Sequence, residues 1–115
     1  MCFIIHPDHK EKKTATEDIV CYKILRTDLV SIYYNYQYKI GKLAKSSLLY
    51  NSFMVDIITD GLHSYSDLIK AQKRRSYSTR TIYKAIIPKG AKYYYNPHDK
   101  EYVSNQLIIQ EEIKN

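Results

Sequence analysis

Tryptophan is absent from this chain, and phenylalanine and cysteine occur only twice each. Cys2 and Cys21 stand at unrelated spacing. They build neither a disulfide framework nor a cysteine-based zinc site, so a reducing, intracellular setting is expected. Long apolar runs are missing too. The stretch before His6 is too short for a signal peptide, and no segment nears the roughly 20 apolar residues that a spanning helix needs. A soluble protein with no membrane partner is expected, in the cytoplasm of a host cell or associated with a virion. Glycine and proline number three each, and no repeat, linker or low-complexity tract appears.

What is present supports a packed fold. At 115 residues and 44% hydrophobic content, the chain can bury a core without staples. Scattered Ile, Val, Leu and Tyr argue against disorder. The expected organisation is one domain, 1–115, with an N-terminal strand and polar loop over 1–18 and a core over 19–115. Abundant Lys, Asn and Ile point to an AT-rich coding genome. The net charge of +6 is spread over Lys10–Lys13, Lys39–Lys45, Lys70–Arg80 and Lys84–Lys100. Such an even spread favours general solubility over a nucleic-acid footprint.

Alternation predicts a strand over Val20–Arg26, with Val20, Tyr22 and Ile24 on one face and Cys21, Lys23 and Leu25 on the other. Residues 2–5 read as a short strand or plug, and His6–Asp18 as a loop. Asp28 is placed to cap a helical turn through Leu29, Val30 and Ile32. Tyr36–Ile40 alternates as a strand that Gly41 ends. Leu48–Ile58 is apolar, a strand alone or a strand with a loop. Asp60-Gly61 marks a turn, and a helix follows, capped by Ser64 or Ser66. Its core face is Tyr65, Leu68, Ile69 and Gln72, with Lys73, Arg74 and Arg75 in its last turn. Arg74–Arg80 reads as polar and mobile. Three further strands, 81–87, 91–95 and 102–109, are punctuated by Pro88-Lys89-Gly90, read as a hairpin, and by Asn96-Pro97-His98-Asp99. The expected class is α+β: a curved, mainly antiparallel sheet with one or two packed helices.

The candidate site residues are few. Glu101 heads the last strand, either as a reactive carboxylate or as an exposed one beside Lys100. His63 has the proton affinity for acid–base work or is a structural histidine at a turn. His6, Asp8 and His9, with His98 and Asp99 as distant partners, do not form a recognised metal signature, so no metal is assigned. Tyr33-Tyr34-Asn35-Tyr36-Gln37-Tyr38 and Tyr93-Tyr94-Tyr95 place tyrosines on alternate faces. These serve as contact area for a partner, as stacking surfaces for a base beside Lys70, Lys73, Arg74, Arg75 and Arg80, or as core.

Read in order, Tyr22-Lys23, Asp28-Leu29, Tyr38-Lys39-Ile40-Gly41-Lys42, Gly61-Leu62-His63-Ser64-Tyr65 and Pro88-Lys89-Gly90 resemble a family of small bacteriophage and prophage domains, from about Cys21 to the C-terminus. More distantly, Gly61-Leu62-His63-Ser64-Tyr65 leading into a helix with Ala71, and Glu101-Tyr102-Val103 opening a late strand, resemble ADP-ribosyltransferases. That resemblance implies an ADP-ribosyltransferase-like fold, with NAD as cofactor. It implies that Glu101 stabilises an oxocarbenium-like ribose, Tyr65 stacks on nicotinamide, and Tyr22 or Lys23 holds the dinucleotide, with His63 beside them. The first strand carries Tyr22-Lys23 where that family places histidine or arginine, and no Ser-Thr-Ser tripeptide follows the middle turn.

The expected function is therefore a phage- or prophage-encoded accessory protein without catalysis or cofactor. It binds a host or phage protein, another host macromolecule or a nucleotide ligand, in host interaction, anti-defence or the virion. Its contacts are expected from Tyr22, Lys23, Tyr36, Tyr38, Tyr94, Arg74 and Arg75. The alternatives are a mono-ADP-ribosyltransferase using Glu101, His63 and Tyr65, and a single-stranded nucleic-acid binder.

Overall fold

The computed structural model describes residues 3–32, 36–52, 55–75 and 79–114. In chain order the strands before the helix are β1 (Phe3–Ile4), β2 (Lys13–Thr14), β3 (Ile19–Arg26), β4 (Leu43–Lys45), β5 (Tyr50–Asn51), β6 (Ile57–Ile58) and β7 (Leu62–Tyr65). Helix α1 (Leu68–Arg74) follows, and then β8 (Arg80–Ile87), β9 (Lys92–Asn96), β10 (Glu101–Ser104) and β11 (Gln106–Glu112). The architecture is mainly antiparallel sheet with one short helix among the described residues. No helix among them is long and apolar enough to cross a membrane.

The large sheet runs β2-β9-β10-β7-β3-β8-β11-β4. Its centre is β3 against β8, paired without a break from Ile19↔Ile87 to Arg26↔Arg80. Alternating β-branched and small residues suit such a ladder. On the other side, β10 pairs along its length with both β7 and β9. Among the described residues, the only ladder pair between these two groups is Tyr22↔Tyr65. The sheet is thus two four-stranded halves, β2-β9-β10-β7 and β3-β8-β11-β4, joined at one position.

The chain passes between the halves after β8 and again after β10, which corrects two expectations. Pro88-Lys89-Gly90 is a tight turn, with Ala91 N–H donating to the Pro88 carbonyl at 3.0 Å and Gly90 at φ 92°. It is not a hairpin, because β8 and β9 lie in different halves. The run 102–109 is two strands, not one. Asn105 breaks it, tied to β9 by the Lys92 N–H, which donates to its Oδ1 at 2.8 Å, so the chain leaves β10 there. The hairpin is instead β9–β10, where the Asn96 side chain accepts from the His98 and Asp99 N–H groups.

Other local departures have clear causes. The segment after Asp28 is a turn with Leu29 at φ 64°, the Asp28 carboxylate accepting from Val30 N–H, and not a helical turn. Tyr36–Ile40 forms isolated bridges to Val30 and Ile109, not a strand. In Leu48–Ile58, β5 and β6 pair with each other and β1 joins them as a separate three-stranded sheet. The polar N-terminal loop contributes β2, which pairs with β9. Tyr65 belongs to β7, so the helix starts later than its periodicity suggests. Asp67 is its N-cap, accepting from Ile69 N–H at 3.4 Å. Leu68 and Ala71 face the core, and Ile69 is 61% exposed.

Three apolar clusters hold the layers. One face of both halves shares Cys21, Leu25, Leu62, Tyr83, Ala85, Leu107 and Ile109. On the opposite face, α1 packs on Ile24 and Ile82 with Tyr22 and Tyr65 at its margin. There too, the small sheet packs Phe3, Ile5 and Ile58 on Tyr94 and Val103. The side-chain alternation expected along β3 is realised: Cys21 and Leu25 join the shared core, and Tyr22 and Ile24 face the helix.

Candidate functional site

Where β3 and β7 stop pairing, the strands splay and a cleft of about 460 Å³ opens. Continuing the antiparallel register beyond Tyr22↔Tyr65 would bring Lys23–Leu25 against Leu62–Ser64, and no ladder forms there. Lys23 bridges the gap instead, donating from Nζ to the main-chain carbonyl of His63 at 2.6 Å.

Register assembles the acidic and basic groups. Glu101 pairs with Tyr65 and Val103 pairs with His63, so Glu101 and His63 are diagonal neighbours on one face. His63 Nδ1 lies 3.3 Å from Glu101 Oε2. Glu101 is not an exposed carboxylate beside Lys100, for its side chain is 14% exposed. Lys100 pairs with Asp67 at 3.7 Å. Among the described residues, the buried His63 Nε2 has no hydrogen-bond partner.

The walls are aromatic and cationic. Tyr36, Tyr38 and Tyr65 line the cleft together with Arg74 and Arg80. The Tyr36 and Tyr38 rings are 4.8 Å apart, and Lys23 Nζ lies 5.5 Å from the Tyr38 ring centre. Burial sets the titration of these groups. Desolvation pulls the Lys23 amine down to about 8, opposed by the nearby Glu101 carboxylate and then by Cys21. Burial, then the neighbouring Tyr36, pushes the Tyr38 phenol well above its ordinary range. Cys21 is fully buried and its thiol is raised to about 11 by that burial, so it offers no ready nucleophile.

The cleft therefore brings together Lys23, Tyr36, Tyr38, His63, Tyr65, Arg74 and Glu101 from the expected set. Three others lie elsewhere. Tyr22 packs beside α1. Tyr94 is a core residue between Phe3, Ile5, Ile58 and Val103, so it is no surface for a partner. Arg75 closes the helix, its N–H donating to the Gln72 carbonyl. Tyr93 and Tyr95 are half-buried, Tyr93 meeting Tyr102 edge to face and Tyr95 packing on it at a tilt, which leaves the second tyrosine cluster little exposed contact area. Tyr33, Tyr34 and Asn35 lie outside the described residues. No group of three or more His, Cys, Asp or Glu is placed to hold a metal among the described residues.

Several lining residues escaped sequence reasoning as parts of a site, among them Ser31, Ser46, Asp60 and Gly61. Asp60-Gly61 marks a turn, and Gly61 opens the Gly61–Tyr65 motif, yet neither is assigned to a site from sequence, and both line the cleft. A Cβ on Gly61 would collide with Val103 Cγ2 and stand 2.9 Å from Leu48 Cδ2. The adjacency of this glycine to His63 and Tyr65 was the available signal. No protein-family model, curated protein or solved structure matches this chain.

Proposed function

We propose that this protein is an accessory protein of phage or prophage type that binds a nucleotide ligand in the cleft between the sheet halves. The observation that supports this reading is the joint lining of one 460 Å³ cavity by Tyr36, Tyr38 and Tyr65 with Lys23, Arg74 and Arg80. Phenol rings offer flat apolar faces to a base, and the guanidinium groups of Arg74 and Arg80 favour phosphate. The volume lies within the roughly 300–1,000 Å³ typical of small-ligand sites. The assignment to phage rests on the resemblance carried by Tyr22-Lys23, the Gly61–Tyr65 turn and Pro88-Lys89-Gly90.

Calorimetric titration with AMP, ADP and NAD⁺ tests the reading. Binding should weaken at least tenfold in Tyr38→Leu and in Arg80→Ala, each checked for a native thermal transition. Absence of heat for all three nucleotides, with the protein folded, removes this function.

A second reading, transfer of ADP-ribose from NAD⁺, is favoured by one observation: the Glu101 carboxylate is held by His63 inside the cleft and beside Tyr65. Incubation with labelled NAD⁺ and cell lysate should label protein, and Glu101→Gln should abolish it. Binding of NAD⁺ without labelled product leaves the binding function alone.

A further inference from the structure

Lys23 is the only buried lysine among the described residues, 8% exposed, and no carboxylate lies in ion-pair contact with it. Its recorded partners are a carbonyl oxygen at 2.6 Å and the face of Tyr38. A protonated amine carries three donors, and one carbonyl meets only one of them. A neutral amine gives one N–H to the His63 carbonyl and keeps its lone pair. Desolvation pulls the group down to about 8, so about a quarter of it is neutral at pH 7.5.

The charged and titratable groups around it come from several elements. Glu101 on β10 favours the ammonium, as does Cys21 on β3, and both act more weakly than burial. Tyr38 supplies its ring from the segment before β4, and Asp60, His63, Arg74 and Arg80 line the same cleft. A desolvated lysine in a cavity that also holds a carboxylate–imidazole pair is arranged for attack on a carbonyl.

We propose that Lys23 is a nucleophilic amine that condenses with the open-chain aldehyde of a phosphorylated or nucleotide-linked ribose bound in this cleft. The anionic, ribose-bearing character of the ligand rests on the nucleotide reading above. The Nζ lone pair attacks the aldehyde carbon, and the carbonyl π electrons pass to oxygen. One proton moves from nitrogen to that oxygen to give the carbinolamine. Departure of the hydroxyl with a second proton releases water and leaves the imine. Glu101 and His63 lie in the same cleft to carry these protons. No oxidant or reductant is required.

The test uses ribose 5-phosphate as the probe, with cyanoborohydride to fix the imine and peptide mapping to place it. At pH 7.5, a group titrating near 8 has on the order of a hundredfold more free amine than an exposed lysine. Modification of Lys23 should therefore exceed that of Lys10, Lys39 or Lys42 by roughly tenfold or more, with the margin shrinking toward pH 10. AMP should suppress it. Lys23→Arg, verified as folded by its thermal transition, should lose the adduct while surface labelling persists.

Labelling spread over the exposed lysines with Lys23 unmodified overturns the proposal, and it does so whether or not AMP binds. A Lys23 adduct that AMP fails to suppress, together with no AMP binding by calorimetry, supports the amine chemistry and removes the nucleotide reading. The mapping on the unaltered protein decides the matter even if the variant does not fold.

Discussion

Lys23 on β3 reaches the main-chain carbonyl of His63 on β7 at 2.6 Å, and this side-chain bond stands where the ladder between the sheet halves has ended. A titratable amine is thereby buried where the two halves are joined by a single ladder pair, and its ionisation becomes coupled to folding.

That coupling has a definite sign. The amine binds its proton less tightly in the folded chain, about 8 against 10.5, so the unfolded chain holds more protons between those values. Stability should rise as pH increases from about 7.5 to 9, with a slope that cannot exceed about 1.4 kcal/mol per pH unit. Above about pH 9 the trend should reverse, because Cys21, raised from 9.0 to about 11, and Tyr102, raised to about 12, keep their protons longer when folded. Urea unfolding across this range measures both limbs. A midpoint that falls between pH 7.5 and 9, or a rise that survives in Lys23→Met, would contradict the coupling.

Glu101→Gln should lower the Lys23 titration midpoint further, below about 8, since the carboxylate is the largest influence favouring the ammonium. NMR of the lysine side-chain ammonium or its adjacent methylene reads this directly. An upward movement would show that Glu101 does not act on Lys23.

Gly61→Ala should be among the costliest single substitutions. The residue sits at φ 146°, and the new methyl would overlap Val103 while crowding Leu48. Strain and overpacking together predict a loss of about 3 kcal/mol, seen as a fall in Tm of about 10–20 °C. A variant melting within a few degrees of the parent would refute the close approach of β7 and β10.

Asp67→Ala removes the helix cap and should cost about 1 kcal/mol, or about 5 °C in Tm. The pairing of Asp67 with the half-exposed Lys100 adds little. Lys100→Ala should therefore leave Tm nearly unchanged, and a fall as large as that of Asp67→Ala would mean that the ion pair, and not the cap, carries the effect.

Much of the strand content was legible because alternation is a local signal. Ile19–Arg26 and Arg80–Ile87 are long, β-branched and uninterrupted, and they form the central ladder. Pro88-Lys89-Gly90 was recognisable as a turn, but which strands it joins depends on partners far away in sequence. The same holds for Asn105, whose side chain accepts from Lys92 and so ends β10 early. In the site, Glu101, His63 and Tyr65 could be singled out by residue type. Their mutual geometry could not, because it follows from the β7–β10 register. Tyr94 misled for a physical reason: a tyrosine in a strand flanked by tyrosines reads as surface, whereas the small sheet of Phe3 and Ile58 covers it.

The interleaving of the two sheet halves also dictates when this protein can begin to fold. Tyr22 must wait for Lys84 to complete its ladder, and Glu101 returns to Tyr65 before β11 closes against β8. Neither half is a contiguous stretch of chain, so each must gather strands from distant parts of the sequence. Such non-local pairing places the folding time in the milliseconds-to-seconds range. β11 pairs with both β8 and β4, so its removal would leave the half β3-β8-β11-β4 without the strand that joins β8 to β4.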